Sequence, residues 1–282
     1  MSKKTSSLSV IGRELKRSRQ LFGLIRNTVP FHTASFVADV LLDDDGGTIS
    51  HRCAQLYGRA ELDYVGMNVT VRGAENLEGL DRYCVVSNHA SYLDFAMALG
   101  HFPTSFRFIA KRELIYMPFI GRWLRHHGVL IDRKRGDGAK EAIRRAVESD
   151  SRVPILIFAE GTRTPDGILQ PFKRGGLTVL AEGGLDMLPV AMLGTYEAFS
   201  RHDRTIVEGS NLELVIGEPV RASDFGPHAR ITEVERRVKL IVADYYGPER
   251  ANLDPADYER ARREPTPAQR QRRPAARATQ RA

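Results

Sequence analysis

The segment Asn88-His89-Ala90-Ser91-Tyr92-Leu93-Asp94 sets a histidine and an aspartate five positions apart, directly after an apolar run, Tyr83-Cys84-Val85-Val86. The run reads as a buried strand, which puts His89 at its C-terminal end, where open α/β sheets usually carry their chemistry. An imidazole near its ordinary pKa of about 6.5 accepts a proton at neutral pH. A carboxylate bonded to its other ring nitrogen fixes the tautomer and stabilises the imidazolium that forms. No nucleophile with a signature of its own accompanies the pair, which points to a base acting on a substrate hydroxyl. Taken alone, His89 and Asp94 fit more readily a structural histidine beside a capping aspartate.

A second segment shifts that balance. Val153-Pro154-Ile155-Leu156-Ile157-Phe158 is another strand-like run, and it ends in Ala159-Glu160-Gly161-Thr162-Arg163. A carboxylate, a glycine and a guanidinium therefore meet at a second strand end. Gly161 allows close approach of a ligand or an unusual backbone angle. Arg163 offers paired donors to a phosphate or carboxylate. Gln170-Pro171-Phe172-Lys173-Arg174-Gly175-Gly176 adds two cations ahead of a helical stretch, whose backbone donors could also meet an anion. The plainer alternative for this segment is a polar turn with surface charges.

Together the two segments resemble the glycerolipid acyltransferase family, typified by 1-acylglycerol-3-phosphate acyltransferases. Its His-x-x-x-x-Asp block reads here Asn88 to Asp94, and its Phe-x-Glu-Gly-Thr-Arg block reads Phe158 to Arg163. Between them, Lys111-Arg112-Glu113-Leu114 leads to Pro118-Phe119-Ile120-Gly121 and then Gly128-Val129-Leu130-Ile131-Asp132-Arg133. Leu188-Pro189-Val190 looks like the short fourth block, and Val71 to Leu77 like the usual lead-in. The resemblance covers about residues 68 to 220. Ala159 stands where many members have proline, and Thr164 where serine is common; neither change removes a reacting group.

The resemblance implies transfer of a fatty acyl group from a thioester, acyl-CoA or acyl-carrier protein, to the free hydroxyl of a lyso-glycerolipid. The expected acceptor is 1-acylglycerol-3-phosphate, giving phosphatidic acid. His89 would be the base, oriented by Asp94. Backbone near Gly161, with Lys111, would hold the oxyanion. Glu160, Thr162 and Arg163 would bind the acceptor, with Arg163 on its phosphate and Arg133, Lys173 and Arg174 assisting. No metal or cofactor is expected, because the thioester is already activated. Two other readings stay open: a different lyso-lipid acceptor, such as a lyso-ornithine lipid, and a catalytically silent lipid-binding or membrane-tethering protein on the same scaffold.

The elements that must position these groups are legible in the pattern. Strands are expected near 68–72, 83–86, 106–110, 129–131, 153–158, 187–192 and 212–216. Helices are expected near 49–59, 137–148, 176–182 and 231–245. This alternation predicts an α/β fold, a mostly parallel central sheet flanked by helices, with an N-terminal amphipathic helical segment. The expected organisation is a membrane-associating helical segment over 1–60, an acyltransferase domain over 61–250, and a basic, disordered tail over 251–282.

A chain of 282 residues, 42% hydrophobic and 27% charged, can bury a substantial core. There are only two cysteines, Cys53 and Cys84; nothing suggests a disulfide framework or a thiolate metal site, and Cys84 reads as a small apolar residue in a strand. The adjacent His126 and His127 are poorly spaced for two ligands on one helix face and read as structural or interfacial.

Both ends of the chain are basic, and the formal net charge is +7. Leu8, Ile11, Leu15, Phe22, Ile25 and Val29 fall on one helical face, with Arg13, Lys16 and Arg17 directed away from it. Pro30 is expected to end this helix, and a second helix to run from Thr33 to Leu42, before an Asp43 to Gly47 turn. No stretch approaches the ~18 apolar residues of a membrane span, and no signal peptide is evident. A basic amphipathic helix suits a bilayer surface; the alternative is that both helices simply pack on the core, and docking is favoured because a lipid substrate needs an entry route. The tail carries Arg270, Arg272, Arg273, Arg277 and Arg281 with no acid from Pro265 onward. It could meet anionic head groups, touch nucleic acid nonspecifically, or stay solvated. The expected partners are a lyso-lipid, an acyl thioester and an anionic membrane surface, with no specific nucleic acid. The expected location is peripheral, on the cytoplasmic face of the cell membrane.

Overall fold

A computed structural model describes residues 3–41, 48–116, 120–132, 136–149 and 152–263. The Asp43 to Gly47 turn, Pro118, Phe119, Arg133 and the arginines from Arg270 onward lie outside the described residues. The chain opens with two helices, α1 (Lys3–Leu41) and α2 (Thr48–Tyr64). Then follow β1 (Asn68–Arg72), β2 (Tyr83–Ser87), α3 (Leu93–His101), β3 (Arg107–Lys111), α4 (Ile120–His127), β4 (Gly128–Ile131) and α5 (Gly136–Glu148). The second half comprises β5 (Ile155–Phe158), α6 (Arg174–Glu182), β6 (Asp186–Leu193), α7 (Thr195–Ala198), β7 (Asn211–Ile216), α8 (Pro227–Tyr246) and α9 (Pro255–Arg263).

The seven strands form one sheet in the order β1-β7-β6-β2-β5-β3-β4. From β6 to β4 every pairing is parallel. The exception is β7, antiparallel to β6 and parallel to β1 at the edge. β2 lies centrally, with Cys84 opposite Ile155 on one side and Met187 on the other. Its residues are buried throughout, as expected for a strand covered on both faces, whose sequence is then a continuous apolar run.

Alternate side chains feed two cores. Val85, Leu156, Leu188 and Val190 pack under α2 and α3, with Leu62, Met97 and Phe102. Cys84, Val86, Ile155, Ile157 and Met187 face α5, α6 and α8, with Ile143, Leu180, Val234 and Val238. Neither cysteine forms a disulfide, and burial pushes the Cys84 thiol up to about 12, so it behaves as a small apolar filler.

Two expectations about the chain ends are corrected. Pro30 does not end the first helix: α1 continues through it to Leu41. Tertiary contacts override the local cost of an internal proline. Gly23 lies against the Tyr64 ring so closely that a Cβ would stand 1.8 Å from it, and Asn27 Nδ2 donates to Ala60 O at 3.2 Å. Gln20 exchanges two hydrogen bonds with the Ile206 backbone, and Arg19 pairs with Glu208. Nor does disorder begin at 251. Asp254 caps the N–H of Ala256 at 2.7 Å, Pro255 occupies the first helical position, and Leu253 and Tyr258 pack on the core side of α8.

The face of α1 away from α2 is apolar and uncovered. Leu15, Phe22, Ile25 and Val29 are all exposed, Phe22 at 69%. Among the described residues no helix is long and apolar enough to cross a membrane.

Candidate active site

His89 stands just beyond the C-terminal end of β2, Glu160 beyond that of β5, and Lys111 ends β3. Parallel pairing of these three neighbours brings segments from distant parts of the chain to one sheet edge.

His89 is held on every side. Its Nδ1 lies 2.8 Å from Asp94 Oδ2. Its backbone N–H donates to Glu160 Oε1, and its carbonyl accepts the Thr164 N–H at 3.0 Å. Its ring stacks on Phe158, with centroids 4.1 Å apart and an interplanar angle of 13°. The imidazole is still 20% exposed, so the second ring nitrogen can meet a ligand from solvent.

Asp94 is fully buried in the first turn of α3. Its Oδ2 also accepts the N–H groups of Ala90 at 2.7 Å and Ser91 at 2.8 Å, while Oδ1 has no partner. An oxygen that accepts two backbone N–H bonds is a carboxylate in character, so the bonded imidazole nitrogen carries hydrogen. That tautomer leaves Nε2 as an acceptor, the form a general base needs.

Asn88 adds a second brace. Its Nδ2 donates to Met192 O at 2.9 Å and its Oδ1 accepts the Met192 N–H at 2.8 Å, extending the β2–β6 contact past the last strand residue. Ser91 Oγ donates to Phe199 O at 2.6 Å and caps the Leu93 N–H.

The loop after β5 carries the second group of candidates. Gly161 has φ +70°, and a Cβ there would come within 2.8 Å of the Lys173 stem, so glycine is required. Arg163 lies flat over Tyr92, its guanidinium carbon 3.3 Å from the ring centroid. Its Nη1 is buried without a partner, an unusual state for a charged donor and one that an anion would relieve. Thr162 is exposed beside it, and Lys173 is exposed at the rim. Lys111 ends β3 half-exposed, 3.4 Å from Glu113.

Three expected roles are corrected. Glu160 is not open to an acceptor: it is buried, with one oxygen on the His89 N–H and the other on the Gln170 N–H at 2.8 Å. Burial pushes its carboxyl up to about 8. Its geometry makes it a strut between the two motif segments. The Gly161 N–H itself donates to Phe158 O at 3.0 Å and closes the turn, so of the backbone expected to hold the oxyanion this one donor is taken. Arg174 pairs with Glu235 on α8 at 2.9 Å, which commits it to helix packing. Arg133 lies outside the described residues. His127 Nε2 bonds Ser50 Oγ at 2.9 Å, in keeping with a structural reading.

Phe158 and Tyr92 were not marked by the sequence as members of the site. Both belong to the motif blocks, but nothing in the spacing shows that their rings carry His89 and Arg163. Among the described residues no cluster of His, Cys, Asp and Glu could hold a metal ion.

Comparison with known proteins agrees with the motif blocks and the fold. Residues 68–193 match the family model described as Acyltransferase. A chloroplastic 1-acyl-sn-glycerol-3-phosphate acyltransferase of Brassica napus is 31% identical over 179 residues, which is 61% of this chain and 51% of the relative. Another, from Arabidopsis thaliana, is 29% identical over 225 residues, 74% of this chain and 62% of the relative. The chain thus spans about half to three fifths of the length of these curated relatives. Its fold is similar to the crystal structure of the 1-acyl-sn-glycerophosphate acyltransferase PlsC from Thermotoga maritima. The TM-score is 0.62 and the identity 26%, over 79% of this chain and 97% of that one. The ordered motif blocks and the sheet that gathers them agree with these similarities: over residues 68–193 the chain matches the Acyltransferase family model, and it is similar to the glycerolipid acyltransferases.

Proposed function

We propose that this chain transfers a fatty acyl group from an acyl thioester to the free hydroxyl of 1-acylglycerol-3-phosphate, producing phosphatidic acid. The observation that carries the reading is the buried Asp94 carboxylate on His89 Nδ1, in one loop cluster with the unpaired Nη1 of Arg163. The first supplies a base and the second a phosphate ligand. The names of the relatives support the same acceptor.

In the proposed reaction His89 Nε2 takes the proton of the acceptor hydroxyl while Asp94 stabilises the imidazolium. The hydroxyl oxygen attacks the thioester carbonyl, and a tetrahedral oxyanion forms. Lys111, at the end of β3 on the far side of β5 from His89, supplies the cation that stabilises it in this reading. The carbon–sulfur bond then breaks, and the imidazolium returns its proton to the departing thiolate. Arg163 holds the acceptor phosphate, its plane set by Tyr92. Thr162 and Lys173 border that position.

The membrane is the source of the acceptor in this reading. The exposed stripe Leu15, Phe22, Ile25 and Val29 lies on a helix layered outside α2, on the sheet face toward which Phe158 and His89 stack. A peripheral contact through α1 brings that face to a lipid surface.

The test is mass spectrometry of products from purified protein given a mixed lyso-lipid pool and both acyl-CoA and acyl-carrier protein donors. Phosphatidic acid formation from 1-acylglycerol-3-phosphate is the expected result. Acylation of another lyso-lipid in preference, or no transfer from either donor, overturns the reading.

A further inference from the structure

The loop from Ala159 to Phe172 is pinned at two ends by different parts of the chain. At one end Thr164 donates its N–H to His89 O, and Glu160 bridges His89 and Gln170. The middle braces itself: Thr164 Oγ1 donates to Ile168 O at 2.7 Å, and Asp166 Oδ1 accepts the Ile168 N–H at 3.0 Å. At the other end stands Arg250, in the segment after α8. Its Nε donates to Gly167 O at 2.8 Å, and its own carbonyl accepts the Leu169 N–H at 2.9 Å. The approach is tight, since a Cβ on Gly167, where φ is +80°, would stand 2.7 Å from Arg250 Nη2.

Arg250 is itself held rigidly. Its Nη2 lies 2.7 Å from Glu197 Oε1, and its guanidinium carbon 4.3 Å from the Tyr246 ring centroid. The Tyr246 hydroxyl donates to Glu197 Oε2 at 2.7 Å and accepts the Gly194 N–H at 2.6 Å. Tyr196 reaches from the same helix as Glu197 to Pro165 O at 3.3 Å. Glu197, Tyr246 and Arg250 all lie beyond residue 193, where the family-model match ends.

We propose that Arg250, locked by Glu197 and Tyr246, is a positioning residue for acceptor binding. It clamps the far end of the loop that presents Arg163, and so sets the position of the phosphate ligand without touching the substrate. The inference rests on the acceptor reading for Arg163 given above. A fixed fork geometry is needed, because one guanidinium must donate to a carbonyl and a carboxylate at once while stacked on a ring. Lysine cannot do all three.

The test combines hydrogen exchange of the 161–172 segment with steady-state kinetics, for Arg250→Ala, Arg250→Lys, Tyr246→Phe and the control Arg174→Ala. Arg250→Ala should speed exchange at Ile168 and Leu169 about tenfold or more, the scale of a lost charge-assisted bond. It should raise the acceptor KM by a similar factor and leave the donor KM nearly unchanged. Arg250→Lys should recover only part of both effects, and Tyr246→Phe should show a smaller change of the same kind. Arg174→Ala removes an exposed ion pair outside the loop and should move neither reading. Wild-type loop exchange and acceptor KM in both Arg250→Ala and Tyr246→Phe would overturn the proposal. So would a uniform rise in exchange across the sheet, with both KM values and kcat failing together. Exchange needs no turnover, so a wild-type protein that acylates no lyso-lipid would sink the proposed function while the clamp is still judged on its own.

Discussion

His89 stacks face to face on Phe158, with ring centroids 4.1 Å apart, so the side chain at the end of β5 is the floor of the imidazole at the end of β2. A flat aromatic face under an imidazole stabilises its cationic form by about 0.5–2 kcal/mol. Phe158→Leu should therefore lower kcat by about two- to thirtyfold while both KM values hold. Loss of the fold in circular dichroism would mean that the ring serves only packing.

His89→Ala should cost about 10²–10⁴ in rate, the scale of a general base. Asp94→Asn removes the charge that stabilises the imidazolium, and a flipped amide would impose the wrong tautomer, so a severe loss is expected there too. Turnover is measured with thiol release under saturating donor and acceptor. Near wild-type turnover in either variant means that the base is another group.

Arg163→Ala should raise the acceptor KM tenfold or more with little effect on the donor KM, because a charge-assisted hydrogen bond contributes about 1.5–3 kcal/mol. Tyr92→Leu removes the plane under the guanidinium and should move the same parameter by a smaller factor. Equal changes in the two KM values would point to a general disturbance of the site.

Stability should depend on pH through buried carboxyls. Burial pushes both Glu61 and Glu160 up to about 8, against ordinary values of 4.5. Between these limits the folded chain binds more protons than the unfolded one, so stability falls as pH rises. His51, lowered to about 4 from 6.5 by burial, acts with the opposite sign, but only below 6.5. From pH 6.5 to 8 the carboxyls act alone, each contributing a slope of at most about 1.4 kcal/mol per pH unit. Urea titrations across this window should show the fall in the wild type. Glu61→Gln and Glu160→Gln should each make it shallower. Parallel curves for wild type and variants would mean that neither carboxyl binds an extra proton on folding.

Phe22→Ser with Ile25→Ser should weaken flotation with anionic vesicles without lowering thermal stability, because both side chains are already in water in the protein alone. Removal of residues from Pro265 onward should weaken it less and make it less sensitive to salt, because a tail of arginines acts only through screened charge. A wild type that never floats, or a double variant that unfolds early, would place the stripe in packing instead.

Most of the elements and the candidate reacting groups were legible in the sequence alone. Strands buried on both faces must be apolar at every position, and the runs at Tyr83 to Val86 and Val153 to Phe158 therefore marked β2 and β5, with His89 and Glu160 at their ends. The five-residue offset of His89 and Asp94 was enough for their hydrogen bond, because both sit within one loop and helix turn. What local pattern could not contain was decided by packing between segments far apart in the chain. The antiparallel entry of β7 depends on which edge remains open once the parallel strands have paired. The continuation of α1 through Pro30 depends on Gly23 meeting Tyr64. The role of Glu160 turned on the same cause: a carboxylate next to a glycine and an arginine reads as a ligand for substrate, but the β2–β5 pairing brings the His89 N–H to it and the folding-back of its own loop brings the Gln170 N–H. A buried acceptor takes the donors that the fold brings within reach, and those are set by strand order and register rather than by neighbours in the chain.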